Sequence, residues 1–347
     1  MLKRYDPRQT YEWNYAHPPE PLLASAAPIP GRWQFCGLSV DSPLGIPAGP
    51  LLNGAWCLYY ASLGYDVLTY KTVRSAERTC YELPNLQPVD ATELDGALAT
   101  VRVSATMDGS WAISFGMPSR APPIWQADVE WTRRHLPAGK RLVVSVVGTM
   151  QPGWSIDQLA ADYARCARWA VDSGADAVEA NLSCPNVETC DGQLYQHPEQ
   201  AALVSAAIRN AIGTTPIILK IGPVLLTSAA RALVRAVGDT ATALAMVNCL
   251  PALVVGNEGP LFAGQPRGIG GRAIRAAVVA QLARFAEATA AEGRHLPLIG
   301  VGGVSTVQHV CDLLQTGAQH VQLATAAMLD PACALRIRQD WPRSPSG

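Results

Sequence analysis

Residues 155–181, SIDQLAADYARCARWAVDSGADAVEAN, hold one complete helix-to-strand unit. Ser155 and Gln158 stand three apart at its start, the spacing of a capping box. Helical spacing of apolar residues then runs to Ser173. Gly174 follows at the position that closes a helix, and the apolar run 177–180 has the length of a strand. Outward from this unit the pattern repeats. Strand-like apolar runs lie at 44–48, 67–70, 142–147, 177–180, 217–220, 243–247, 298–301 and 320–323. Helical stretches lie at about 53–63, 155–173, 198–212, 227–237, 272–291, 306–316 and 331–339. Thr227 or Ser228 can cap the fourth of these, and Thr316-Gly317-Ala318 repeats the glycine stop.

Eight strands alternating with helices predict an α/β chain of the closed (β/α)8, or TIM-barrel, type. Continuously apolar strands suit a parallel sheet buried on both faces. A doubly wound open sheet is the alternative, but no glycine fingerprint follows the first strand. The stretch 72–140 is too long for one crossover and is expected to bring its own strands and loops to the C-terminal mouth. Residues 1–35 carry Tyr11, Trp13 and Tyr15 among Pro18, Pro19, Pro21, Pro28 and Pro30. Proline at this density predicts an arm without regular structure, and its aromatics predict that it packs on the body or a partner. The expected division is an arm, 1–35, and a barrel, 36–347.

The 347 residues carry 27 Lys+Arg against 28 Asp+Glu, a net charge of -1. This balance argues against a nucleic-acid surface or a polybasic membrane patch. With 49% hydrophobic and 16% charged residues, the chain is not of the disordered class. No run of about 18 apolar residues predicts a membrane span, and the first residues lack the apolar core of a secretory signal. Nine scattered cysteines without a C-x-x-C fit a reducing cytoplasm. Six histidines without ligand spacing predict no metal.

Chemistry in such a barrel sits at the C-terminal ends of the strands. Strand four runs into Asn181-Leu182-Ser183-Cys184-Pro185-Asn186, which gathers amides, a hydroxyl and a thiol. Such a thiol can act as general base or nucleophile; a buried, inert cysteine beside a turn is the alternative. Lys71 and Lys220 close strands two and five, either as solvent-facing terminators or as cations for an electron-rich ligand. Gly302-Gly303 and Ala324-Thr325 follow strands seven and eight, where barrels often hold phosphate. Gly268-Ile269-Gly270-Gly271 adds another anion-friendly loop, and Val247-Asn248-Cys249 another amide. A phosphate anchor on one side and amides with a thiol on the other suit a phosphorylated planar cofactor such as FMN.

Asn181-Leu182-Ser183-Cys184-Pro185-Asn186 resembles the active-site signature of the dihydroorotate dehydrogenase family. In that family's order follow segments similar to its first strand (Ser42 to Gly49), its second-strand lysine (Tyr70-Lys71-Thr72) and its substrate loop (Ser114-Phe115-Gly116-Met117-Pro118). The resemblance spans about residues 36–340 and implies an FMN-dependent (β/α)8 oxidoreductase that oxidises dihydroorotate to orotate, a step of pyrimidine biosynthesis. By that resemblance Cys184 takes a proton from one substrate carbon while hydride leaves its neighbour for flavin N5, with Lys71 also catalytic. A cysteine here points to the branch without a membrane anchor. Lys71, Asn181, Asn186, Asn248, Gly116 and Met117 would hold the substrate. Ala48, Gly49, Lys71, Ser145, Asn181, Lys220, Val247, Gly270, Gly271, Gly302, Gly303, Ala324 and Thr325 would hold FMN. Homodimerisation is a family expectation, and NAD-linked turnover would require a second, electron-transferring subunit.

Four positions depart from the family pattern. Ile113 replaces the asparagine before the substrate loop, Cys249 replaces serine, Met117-Pro118-Ser119 lacks the usual closing asparagine, and Ile46 replaces a residue often polar. Each hydrogen-bond partner lost to a fixed polar substrate costs about 1–3 kcal/mol. The alternative substrate class is therefore another cyclic or conjugated CH–CH compound, such as a dihydropyrimidine.

Overall fold

The computed structural model describes residues 2–23, 26–183 and 190–342. Eight parallel strands close into a barrel: β1 (Leu44–Ile46), β2 (Val67–Val73), β3 (Arg141–Val146), β4 (Ala177–Asn181), β5 (Ile217–Lys220), β6 (Ala243–Met246), β7 (Leu298–Val301) and β8 (Ala318–Gln322). Closure comes where β8 meets β1, with Val321 opposite Leu44 and Gln322 opposite Gly45. Helices α1 (Gly54–Ser62), α2 (Pro122–His135), α3 (Ile156–Asp172), α4 (Pro198–Ile212), α5 (Thr227–Val237), α6 (Arg275–Ala291) and α7 (Val307–Gln315) connect successive strands, and α8 (Thr325–Leu329) and α9 (Cys333–Gln339) follow β8. The chain is the (β/α)8 barrel that the alternation predicts.

The capping box forms as read: the Gln158 amide N–H donates to Ser155 Oγ at 3.4 Å, and the Ser155 N–H to Gln158 Oε1 at 2.8 Å. The cap expected at Thr227 or Ser228 does not form. Leu226 is the N-cap of α5, without a side-chain hydrogen bond, and Thr227 already lies in the first turn. The long stretch after β2 supplies strands Leu86–Asp90, Ala99–Val103 and Ser110–Ile113, and also α2, the regular crossover helix.

A second insertion, after β6, adds Leu250–Gly256, Gly259–Pro260 and Arg267–Gly271. Together these make a six-stranded sheet over the mouth. The glycines at 268–271, expected in a loop, are therefore strand. Their backbone pairs with Ser110–Ile113, Gly270 opposite Trp111, and two flanking strands satisfy what a loop would leave open.

The arm is more ordered than its prolines suggest. No proline lies between Pro7 and Pro18, and Tyr11–Ala16 is a helix whose first turn is capped by Thr10 Oγ1 accepting from the Trp13 N–H at 3.1 Å. Tyr5 and Tyr11 pack edge-on to Phe115 at centroid distances of 5.9 and 6.2 Å. The Trp56 indole N–H donates to Asn14 O at 3.0 Å and the Tyr59 hydroxyl to Lys3 O at 2.6 Å. The arm thus braces the segment around Phe115 from outside.

At the opposite end a hairpin, Trp33–Phe35 with Leu38–Val40, closes the barrel floor. Phe35 joins Val67, Val143, Ala177 and Ile218 in one buried cluster. Above it, strand alternation turns Thr69, Ser145, Glu179, Lys220 and Gln322 inward, and all five are buried. This polar middle layer separates an apolar floor from the mouth.

His320, on β8, is fully buried against Phe35 at 4.9 Å, and neither ring nitrogen has a hydrogen-bond partner among the described residues. Burial lowers its pKa from 6.5 to about 3. The unfolded chain therefore binds a proton that the folded chain refuses between those values, so stability falls as pH drops below about 6.5, by about 1.4 kcal/mol per pH unit for this group. His320→Leu is expected to lose less thermal stability than the wild type between pH 7 and pH 4. Parallel melting curves would show this group to be neutral to acid stability.

Candidate active site

A cavity of about 430 Å³ opens at the C-terminal end of the barrel beneath the inserted sheet, within the usual range of about 300–1,000 Å³ for small-molecule sites. Lys71 and Lys220 line it, each on a β-strand whose other residues are apolar or hydroxylic. Lys220 ends β5 as the sequence predicts, whereas β2 runs on past Lys71 to Val73. Lys71 Nζ stands 5.2 Å from the centre of the Phe115 ring, so the braced aromatic also sets the place of this cation. Lys220 Nζ is 3.5 Å from Ala48 O and 3.8 Å from Glu179 Oε1.

Two amides are locked to each other on one wall. Asn181 Oδ1 accepts from Asn248 Nδ2 at 3.2 Å and from the Ser183 N–H at 3.2 Å. Asn248 Nδ2 also donates to Ser183 O. Asn181 Nδ2 faces Met117 Sδ at 3.6 Å. Ser183, the last described residue of that segment, is thus held to both asparagines. Cys184 and Asn186 lie outside the described residues. Gly116 and Met117 line the same end, with φ of 72° and 52°. A Cβ on Gly116 would stand 2.6 Å from the Tyr81 ring, so the turn there needs glycine.

The other end is basic and glycine-rich. Gly270, Gly271, Gly302, Gly303, Ala324 and Thr325 line it together with Arg272, Arg275 and His309. Gly303 has φ of 72°, and a Cβ there would meet Cβ of Arg275 at 2.4 Å. The start of α7 adjoins this loop, where free N–H groups and the helix dipole favour an anion. Burial, and next the charge of Arg275, lowers the pKa of His309.

Ala48 and Gly49 form the rim over β1. Ser145 and Val247 are buried behind the wall; the Ser145 hydroxyl is 3.0 Å from that of Thr72.

Gln322, Arg275 and His309 had no place in the sequence reading. Gln322 lines the cavity almost fully buried, and its Oε1 has no hydrogen-bond partner among the described residues. No distinct signal in the sequence marked it, since β8 reads Ala-Gln-His-Val-Gln and already carries Gln319 and His320. An orphaned acceptor, two ammonium groups and amides at one end, with an anion cradle at the other, fit a flavin mononucleotide: ring carbonyls and N–H groups on one side, phosphate on the other. Leu86, Trp111, Ile113 and Phe115 supply the flat apolar roof.

The architecture and the position of this cavity define a (β/α)8 enzyme with its site at the strand C-termini. The family model for dihydroorotate dehydrogenase matches residues 114–344. A dihydroorotate dehydrogenase of Dictyostelium discoideum is 32% identical over 321 residues, 87% of this chain and 86% of that protein. The catalytic subunit of the NAD(+)-type dihydroorotate dehydrogenase B of Maridesulfovibrio salexigens is 31% identical over 178 residues, 50% of this chain and 56% of its own. Its counterpart from Desulforudis audaxviator is 31% identical over 208 residues, 59% and 64% of the two chains. The chain belongs to the dihydroorotate dehydrogenase family, and so to the oxidoreductases that act on CH–CH groups.

Proposed function

We propose that this protein oxidises dihydroorotate to orotate, with FMN lying across the barrel mouth and Cys184 as the base. The observation that carries this reading is one cavity lined by Lys71, Asn181, Lys220 and Asn248 together with the Gly302-Gly303 loop, in a chain of this family. FMN, when bound, supplies a two-electron acceptor at its N5.

The protein's own groups divide the remaining work. Lys71, Asn181 and Asn248 orient the substrate ring and its carboxylate, with Gly116, Met117 and Asn186 completing that end. Cys184 takes the proton. Lys220 and Gln322 meet the polar edge of the flavin ring, which Ala48 and Gly49 contact from the rim. Gly270, Gly271, Gly302, Gly303, Ala324 and Thr325 hold the phosphate, while Ser145 and Val247 support the wall from behind. Residues 1–35 act as a brace on one FMN-binding barrel, 36–347. Similarity to catalytic subunits of NAD(+)-type enzymes supports electron transfer to a separate subunit. A cytoplasmic location and a homodimer complete the proposal; no helix among the described residues is long and apolar enough to cross a membrane.

Purified protein is expected to be yellow, to release FMN on denaturation, and to bleach when dihydroorotate is added without air. A colourless protein that takes up no FMN would overturn the reading.

A second reading, a different cyclic CH–CH substrate such as a dihydropyrimidine, is favoured by Ile113 and Cys249. Both line the cavity, and the Cys249 thiol donates to Asn248 Oδ1 over 3.9 Å, a weaker bond than a serine hydroxyl would make. Ile113→Asn separates the two. If the site has diverged, kcat/KM for dihydroorotate rises about tenfold or more, as one regained hydrogen bond of ~1.4 kcal/mol implies. If dihydroorotate is already the substrate, it does not rise.

A further inference from the structure

We propose that Glu179 is a positioning residue that sets the charge Lys220 presents to the flavin, and through it the flavin's redox potential. The inference rests on the FMN reading above. Glu179 stands in the middle of β4 between Ala177 and Asn181. Strand alternation turns these three to the barrel interior, where Glu179 is only 1% exposed. Its Oε1 lies 3.8 Å from Lys220 Nζ and has no hydrogen-bond partner among the described residues. Lys220 is equally buried, lines the cavity, and has its other contact at 3.5 Å to Ala48 O. The ammonium is thus suspended between a carboxylate in the layer below the cavity and a carbonyl at its rim, without a short bond to either.

A carboxylate is an expensive group to bury, and it is sustained here by the adjacent cation. In so dry a site Coulomb effects reach beyond contact distance. The negative charge of Glu179 therefore subtracts from the positive field that Lys220 and Lys71 send into the cavity. A flavin gains negative charge on reduction, so the unopposed field of the lysines would favour its reduced form. Glu179 holds that preference down and keeps the reduced flavin able to pass its electrons on.

The test is the midpoint potential of bound FMN, read by equilibration with a redox dye. Glu179→Gln keeps the size of the side chain and removes its charge. It is expected to retain FMN and to shift the potential upward by at least a tenfold change in the oxidised-to-reduced ratio, about 30 mV for a two-electron couple. Glu179→Asp withdraws the carboxylate by one methylene and is expected to shift it the same way by less; it carries the test if the glutamine variant fails to fold. A purely structural role would alter stability or flavin content at constant potential. An unchanged or lowered potential in a flavin-loaded variant overturns the inference and leaves the FMN reading standing. A wild type that takes up no flavin removes both.

Discussion

Cys184→Ala is expected to slow dihydroorotate oxidation by about 10²–10⁴-fold, the usual contribution of a positioned general base, while flavin content stays at the wild-type level. The groups proposed to hold the flavin lie on β5, β8 and the inserted sheet and just beyond β1, β7 and β8, so removing one thiol beyond β4 leaves them untouched. What is lost is the proposed acceptor for the substrate proton. Asn181 and Asn248 cannot substitute, because amide groups have no basic lone pair and both are already committed to each other and to Ser183. The pH profile gives a second readout. Only the thiolate is a base, so the rate of flavin bleaching in the wild type should climb with pH as the thiol ionises, near about 8.5 for an unperturbed cysteine. The alanine variant should lose that climb. Equal bleaching rates in the two proteins, measured by stopped flow, would remove Cys184 from the role of base.

The parts of this molecule that sequence revealed are those governed by local periodicity. Each barrel strand is apolar because both its faces are covered, and each following helix repeats every three to four residues, so all eight strands stand where the runs are. Lys71, Asn181, Lys220 and Asn248 were legible because each is a polar residue at or just beyond the end of an apolar run, where only a mouth can accept it. Gln322 and Glu179 sit within such runs and read as noise; their inward aim depends on barrel closure, a property no single strand carries. Arg275 and His309 reach the anion cradle from two different helices. The second half of the roof, 250–271, was hidden by Pro251, Pro260, Pro266 and its glycines, all poor strand formers, which become strand only because Ser110–Ile113 and Ala99–Val103 are beside them. The arm's helix was hidden by the prolines that flank it.

Asp66→Asn is expected to destabilise the fold by about 3–5 kcal/mol, the cost of stripping one partner from a buried ionic cluster. Asp66 immediately precedes β2 at the barrel base and is completely buried. Its Oδ2 accepts from Arg338 Nη2 at 2.8 Å and from the Ser42 hydroxyl, and its Oδ1 pairs with Lys140. Arg338, on α9, reaches further: Nε donates to Gly64 O at 2.7 Å and Nη1 to Ala27 O at 2.9 Å. One carboxylate thus balances two cations that tie the arm, the segment before β1, the start of β2, the approach to β3 and the last helix into one base plate. Asparagine matches the shape but leaves both cations without a counter-charge in a site where Arg338 has almost no access to water. Adding Arg338→Met should recover part of the loss, since it removes one of those cations, and the two substitutions should therefore fall short of additivity. Urea denaturation of the three variants would measure this. A loss below about 1 kcal/mol would be the behaviour of a surface pair and would mean that water reaches the base plate. Because the cluster lies at the end of the barrel opposite the cavity, flavin binding by the folded fraction should be unchanged, which separates this effect from that of Cys184.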